Sequence, residues 1–218
     1  LNLTLVLLDV VFSYNELIPV GAIQRLFNMA REDSLAGWFS GIHLLLIAMI
    51  LWLVYIKERK RGWAVIAGFF SYLGMDDGAG VHERIGTTVE KLLSSGAEDS
   101  ILSYFPSYTW QIVYGPFLLG MALFMVWYLL SRLGSNHLKI LFLAGLGCYG
   151  FAEGIDFLEG VDGLYKLAAE RLSISASFLS HFARVFEEFM ENVGSTILFV
   201  CFLRYFTNTT KNIELVLK

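Results

Sequence analysis

Cysteine is nearly missing from this chain, and so is any long run of positive charge. The two cysteines, Cys148 and Cys201, each sit inside an apolar block. There they read as small hydrophobes in a bilayer, which gives thiol-pair chemistry no support and leaves the redox compartment open. Charged residues make up only 17% of the sequence, the net charge is -4, and no long basic run occurs. That balance argues against a nucleic-acid partner. A nucleophile elbow, a complete glycine-rich phosphate loop and a haem-attachment motif are also missing. Gly78-Ala79-Gly80 lacks both a third glycine and a strand before it. No connection between apolar blocks exceeds about 40 residues, which leaves no separate soluble domain of ordinary size.

What the chain does have is apolar length. Hydrophobic residues reach 56% and come in long blocks, the pattern of a polytopic membrane protein with the lipid bilayer as its solvent. The expected fold is all-α, a single transmembrane helical bundle over residues 1–218 with about six spans. The first apolar run, Leu1 to Phe12, is too short to cross and reads as the end of a truncated helix. Complete spans follow at about Ile42 to Ile56, Gly62 to the motif at Asp76, Ile112 to Leu130, Leu138 to Asp156 and Ser180 to Tyr205. Ser13 to Gly41 reads as amphipathic and loop-like, 84–109 as mixed and polar, and Leu158 to Ser177 as a surface helix. The aromatic cluster Tyr104, Phe105, Tyr108 and Trp110 reads as an interfacial belt. The densest basic cluster, Lys57 to Arg61, fixes a cytoplasmic loop by the positive-inside rule. Alternation then places Arg132, Lys139, Arg204 and Lys211 on that side too. Both termini are expected in the cytoplasm of a cell-membrane protein, with nearly every acid facing outward.

Depth can be counted along each span at about 1.5 Å per residue. Asp76 lies about 21 Å from Gly62, Glu153 about 21 Å from Lys139, Glu191 about 21 Å from Tyr205, and His43 about 21 Å from Lys57. Four spans therefore carry an ionisable side chain to one level, about two-thirds of the way across a core of about 30 Å. Asp156, Glu187 and Glu188 come slightly further out, then His82, Glu83 and Glu159. Glycines 147, 150 and 154 leave a smooth face suited to close helix approach. Taken singly, Asp77, Glu83 and Glu159 read as solvated helix-end residues, and His43 as an interfacial histidine.

Several carboxylates at one depth in a low dielectric need neutralising by protons, basic side chains or cations. Arg184 and Arg84 can meet part of that demand. Carboxylates with histidines on the inner faces of a bundle also build di-metal sites, and a mixed O/N set suits Mn, Fe or Zn. The candidate ligands are Asp76, His82, Glu83, Glu153, Asp156, Glu188, Glu191 and His43, although the two Glu-x-x-His pairs of di-iron bundles are missing. Four readings stay open: a metal site, with an enzyme acting on a lipid or quinone-like substrate as one form of it; a proton-neutralised or Arg-paired network; a proton or cation pathway; and an accessory subunit of a larger membrane complex.

The order Phe27-Asn28-Met29-x-Arg31-Glu32, then Trp38-Phe39-Ser40, Asp76-Asp77-x4-His82-Glu83 and Glu187-Glu188-x2-Glu191-x2-Gly194 resembles a broad group of uncharacterised bacterial polytopic membrane proteins. The second motif in that group reads Asp-Glu-x4-His-Glu, so Asp77 is a departure that shortens one carboxylate. The resemblance implies weight for Asp76, His82, Glu83, Glu188 and Glu191 and names no reaction. His43 lies outside its pattern.

Overall fold

The computed structural model describes residues 1–15, 17–31, 33–94, 109–159, 161 and 163–210. Within them every regular element is helical. The expected belt residues Tyr104, Phe105 and Tyr108, and Lys211 in the tail, lie outside the described residues, as does the side chain of Glu83.

The chain opens with α1 (Asn2–Leu8), which runs straight into a π-helical stretch, Asp9–Tyr14. A short α2 (Gly21–Phe27) precedes α3 (Leu35–Glu58). α3 starts about seven residues earlier than hydropathy suggests, because Ser34 is a working N-cap: its Oγ accepts from the Gly37 amide at 3.2 Å. It ends at Arg59 in the left-handed region (φ 56°), and α4 (Arg61–Ala79) follows at once. Gly80 closes α4 at φ 56°, its amide bonded to the Asp76 carbonyl at 2.7 Å, the left-handed cap that glycine takes without a Cβ penalty. The chain then restarts as α5 (Val81–Ser94), so the stretch expected to be mixed and polar is helical in its described part. α6 (Thr109–Arg132) carries Pro116 inside it, and α7 (Asn136–Glu159) follows. The short α8 (Leu164–Leu172) falls within the expected surface helix, and α9 (Ala176–Thr209) is the longest element.

Among the described residues, three helices, Leu35–Glu58, Trp110–Arg132 and Asn136–Glu159, are long and apolar enough to cross a membrane. α4 lies along α3, and α9 lies along both α7 and α3. α6 packs against α5 and α7 and meets α4 through aromatic rings, Phe117 with Phe69 at 6.0 Å and Tyr128 with Trp63 at 5.5 Å.

Two pairs of glycines set close crossings. A methyl group on Gly74 would lie 3.0 Å from the Gly41 carbonyl oxygen and 2.9 Å from Leu45, so α3 and α4 touch backbone to backbone. A methyl on Gly194 would lie 3.0 Å from the Gly145 carbonyl oxygen, which joins α9 to α7 in the same way. Contact of this kind holds helices together where lipid removes the hydrophobic driving force between them. The glycine face at 147, 150 and 154 does not make the close approach expected of it: nothing stands within 4 Å of a Cβ built at any of the three. Gly145, a few residues away, does it instead.

Beside the basic turn the bundle is solid. Leu51, Trp63, Ile66, Leu129, Leu133, Phe142 and Phe202 are all under 2% exposed. Glu58 ties this end together, accepting from Tyr205 of α9 at 2.5 Å, Trp63 Nε1 at 3.1 Å and Lys60 at 2.8 Å. A second, smaller core of Leu5, Met29, Ala36 and Val185 docks the N-terminal helices against α3 and α9.

Candidate functional site

Between α4, α6, α7 and α9 the packing opens into a cavity of about 660 Å³. Each helix lines it in the same order. On α4 the lining passes from Phe69, Phe70 and Leu73 to Asp76 and Asp77; on α7, from Leu146 to Glu153, Asp156 and Glu159. On α9 it passes from Leu198 to Glu191, Glu188, Glu187 and Arg184. α6 supplies Met125, Ala122, Leu119 and Leu118, then Tyr114 and Trp110, and no charged group. The result is one space with an apolar trunk beside the solid core and an acidic end away from it. From Leu146 to Glu159 the lining covers about 20 Å of helix.

Of the eight residues proposed from sequence, six line this cavity: Asp76, His82, Glu153, Asp156, Glu188 and Glu191. His43, at the same counted depth, is not among its lining residues. Its ring stands 4.4 Å from Phe39 and 5.9 Å from Phe199, with Nδ1 buried and no partner for it among the described residues. It faces the α3–α9 seam. The Glu83 side chain lies outside the described residues.

Asp76 is 7% exposed, and both its oxygens are engaged. Oδ1 accepts the His82 backbone N–H at 2.9 Å, and Oδ2 meets His82 Nδ1 at 2.8 Å. The first bond satisfies one of the orphan amides of α5, as a capping side chain does. The second orients the imidazole, whose other side is met by the Trp110 ring at 4.6 Å. Further out, Gln111 Nε2 donates to Asp156 Oδ2 at 2.6 Å. Arg184 Nε donates to both oxygens of Glu159 at 2.7 and 2.9 Å, and the Ser180 hydroxyl donates to Oε1 at 3.3 Å. Arg184 thus takes the role expected of it, while the residue at 84 is exposed.

Three features escaped sequence reasoning. Asp77, expected to be solvated, has its Oδ2 buried without a partner among the described residues, as is the Tyr72 hydroxyl one turn earlier. Tyr149, on the cavity wall, shares a hydrogen bond with Ser195 at 2.5 Å. Asp9, completely buried, accepts the Met29 amide at 2.9 Å and meets His181 Nε2 at 2.9 Å. No short-range pattern joins residues 9 and 181.

Among the described residues, no group of three or more His, Cys, Asp or Glu side chains is arranged to hold a metal ion. The cavity instead combines surplus negative charge with an apolar, aromatic body.

A model of one protein family, the domain of unknown function DUF8692, matches residues 1–206. The chain belongs to the DUF8692 family. That match includes every residue lining the cavity. No curated protein and no solved structure matches the chain.

Proposed function

We propose that this DUF8692 protein is a multipass protein of the cell membrane that binds an amphipathic organic cation in its cavity. The observation that carries the reading is the shared gradient along the cavity: apolar lining on four helices, turning on three of them into eight carboxylates that face one guanidinium and one imidazole. A pocket of this size suits a small or single-chain ligand. Its acidic end favours a positive headgroup, to which Trp110, Tyr114 and Tyr149 add aromatic faces.

The membrane part of the proposal extends the three apolar helices to α4 and α9. α4 is 19 residues long, about 29 Å of helix against a hydrocarbon core of about 30 Å. With the N-terminal segment this makes six spans and puts both termini in the cytoplasm. Lys57, Arg132 and Arg204 then sit at the inner end, as the positive-inside rule asks, and the cavity opens toward the outer face. The solid core under the cavity favours binding over conduction, because Leu51, Ile66, Leu129 and Phe202 fill the route to the basic end.

Mn, Fe or Zn is the competing occupant. The Asp76–His82 pair is how an imidazole is oriented for a metal, but among the described residues no three His, Cys, Asp or Glu side chains are arranged to hold one. An organic cation needs no convergence of three ligands, which favours it as the occupant.

The test uses the full chain in lipid nanodiscs with dodecylammonium, dodecyltrimethylammonium and dodecyl sulfate as probes, corrected for partition into empty discs. Saturable binding of either cation, weakened at least tenfold by Glu191→Gln together with Glu153→Gln, is the expected result. Cations held no better than the sulfate would overturn the proposal. Stoichiometric Mn, Fe or Zn in the purified protein, lost in His82→Ala, would return the site to a metal.

A further inference from the structure

Resting on the organic-cation reading, we infer that the headgroup this cavity selects is a primary ammonium, recognised through the lone pair of His82 Nε2. The geometry fixes which ring nitrogen is available. A carboxylate only accepts hydrogen bonds, so Asp76 Oδ2 at 2.8 Å puts the proton of the neutral ring on Nδ1. Asp76 cannot swing away, because its other oxygen holds the His82 amide at 2.9 Å and the residue is 7% exposed. Trp110 packs on the ring from α6. His82 is therefore a preset acceptor on the cavity wall, with no partner bonded to Nε2 among the described residues.

The remaining wall asks for the same thing. Glu153, Glu187 and Glu191 add more acceptors from α7 and α9, while the one guanidinium, Arg184, is engaged by Glu159. A primary ammonium brings three N–H donors, whereas a quaternary ammonium brings the same charge and none. Leaving buried acceptors unmet penalises the ligand that lacks donors, and this asymmetry is the usual source of strong selectivity.

The experiment compares dodecylammonium with dodecyltrimethylammonium on the full chain in nanodiscs by native mass spectrometry. The wild type should hold the primary ammonium about tenfold more tightly, the scale of one hydrogen bond to a charged group. In His82→Phe, which keeps an aromatic ring against Trp110 and removes the acceptor, the preference should fall by at least about threefold, and a preference equal to the wild type's would overturn the role of Nε2. Equal binding of the two cations by the wild type would overturn the inference and leave the cation reading standing; failure of both cations would overturn the two together. A measurement that needs no variant completes the test. The ¹⁵N spectrum of His82 in the unliganded protein should show a proton on Nδ1 and none on Nε2, and a ring protonated on Nε2, alone or together with Nδ1, would overturn the inference by itself.

Discussion

Asp76 and His82 are joined twice, through the histidine's amide at 2.9 Å and through its ring at 2.8 Å. A single carboxylate on the last turn of α4 thereby starts α5 and aims its second side chain. Removing it should do two separable things. Asp76→Ala should cost about 1 kcal/mol, the usual value of a lost helix cap, and amide exchange should quicken from Val81 to Ile85 while the α3–α4 core stays protected. Asp76→Asn should recover most of the cap and little of the ring's orientation. Exchange rising equally across α3 and α4 would show that the residue holds more than the start of α5.

The two glycine crossings predict a sharp positional contrast. Gly74→Ala and Gly194→Ala force a methyl group against a backbone oxygen at 3.0 Å and should destabilise by about 1–3 kcal/mol, as overpacking does. Gly147→Ala and Gly154→Ala meet nothing within 4 Å and should stay within about 0.5 kcal/mol of the wild type. Reversible unfolding in mixed micelles measures both sets, and similar losses at all four positions would contradict the packing described here.

Asp9 and His181 fasten the N-terminal helices to α9. Asp9→Ala strands the Met29 amide and the imidazole together, at a cost of about 2 kcal/mol for the buried groups left unpaired. The loss should be local: limited proteolysis within residues 17–20 should accelerate while the main core keeps its midpoint. Asp9→Asn retains an acceptor and should be intermediate. Cleavage unchanged by Asp9→Ala would remove this fastening role.

One pH dependence follows from groups outside the helices that reach the cavity. Asp33, just before the α3 cap, accepts from Arg31 Nε at 2.8 Å and Arg25 Nε at 2.6 Å. These two guanidiniums, Arg31 foremost, hold its carboxyl down at about 2, against an ordinary 3.8. A depressed acid favours the folded form at and above its unfolded value and loses that contribution as pH falls. The clamp should therefore be intact above pH 3.8 and dissolve as the pH falls toward about 2. A ¹³C titration of the Asp33 carboxyl should show the low midpoint, and Arg31→Ala should raise it; a midpoint at 3.8 in the wild type would exclude the clamp.

Depth along a helix was readable from sequence because it needs only the helix ends and a constant rise. That is why Asp76, Glu153 and Glu191 meet in one cavity. Rotation about the helix axis was not readable in the same way. α3 is apolar on nearly every side, so nothing in its pattern distinguishes the face carrying His43, which turns toward Phe39 and Phe199, from the face on α4. The glycines of α7 illustrate the same limit. Their spacing marked a smooth stripe, but only packing decides that the stripe at 147, 150 and 154 stays open while Gly145 takes the contact. Ser34, by contrast, was a legible helix start that hydropathy alone passed over. The Asp9–His181 pair bridges 172 residues, a distance no periodicity spans.

The solid core below the cavity has one further consequence. On the proposed cation-binding reading, Trp63, Leu129 and Phe202 close the cavity beside the basic turn, and a bound molecule would leave by the way it came. Such a protein would govern how long its ligand stays rather than how much passes through. In its kinetics the dissociation rate, more than any flux, would carry the physiological signal.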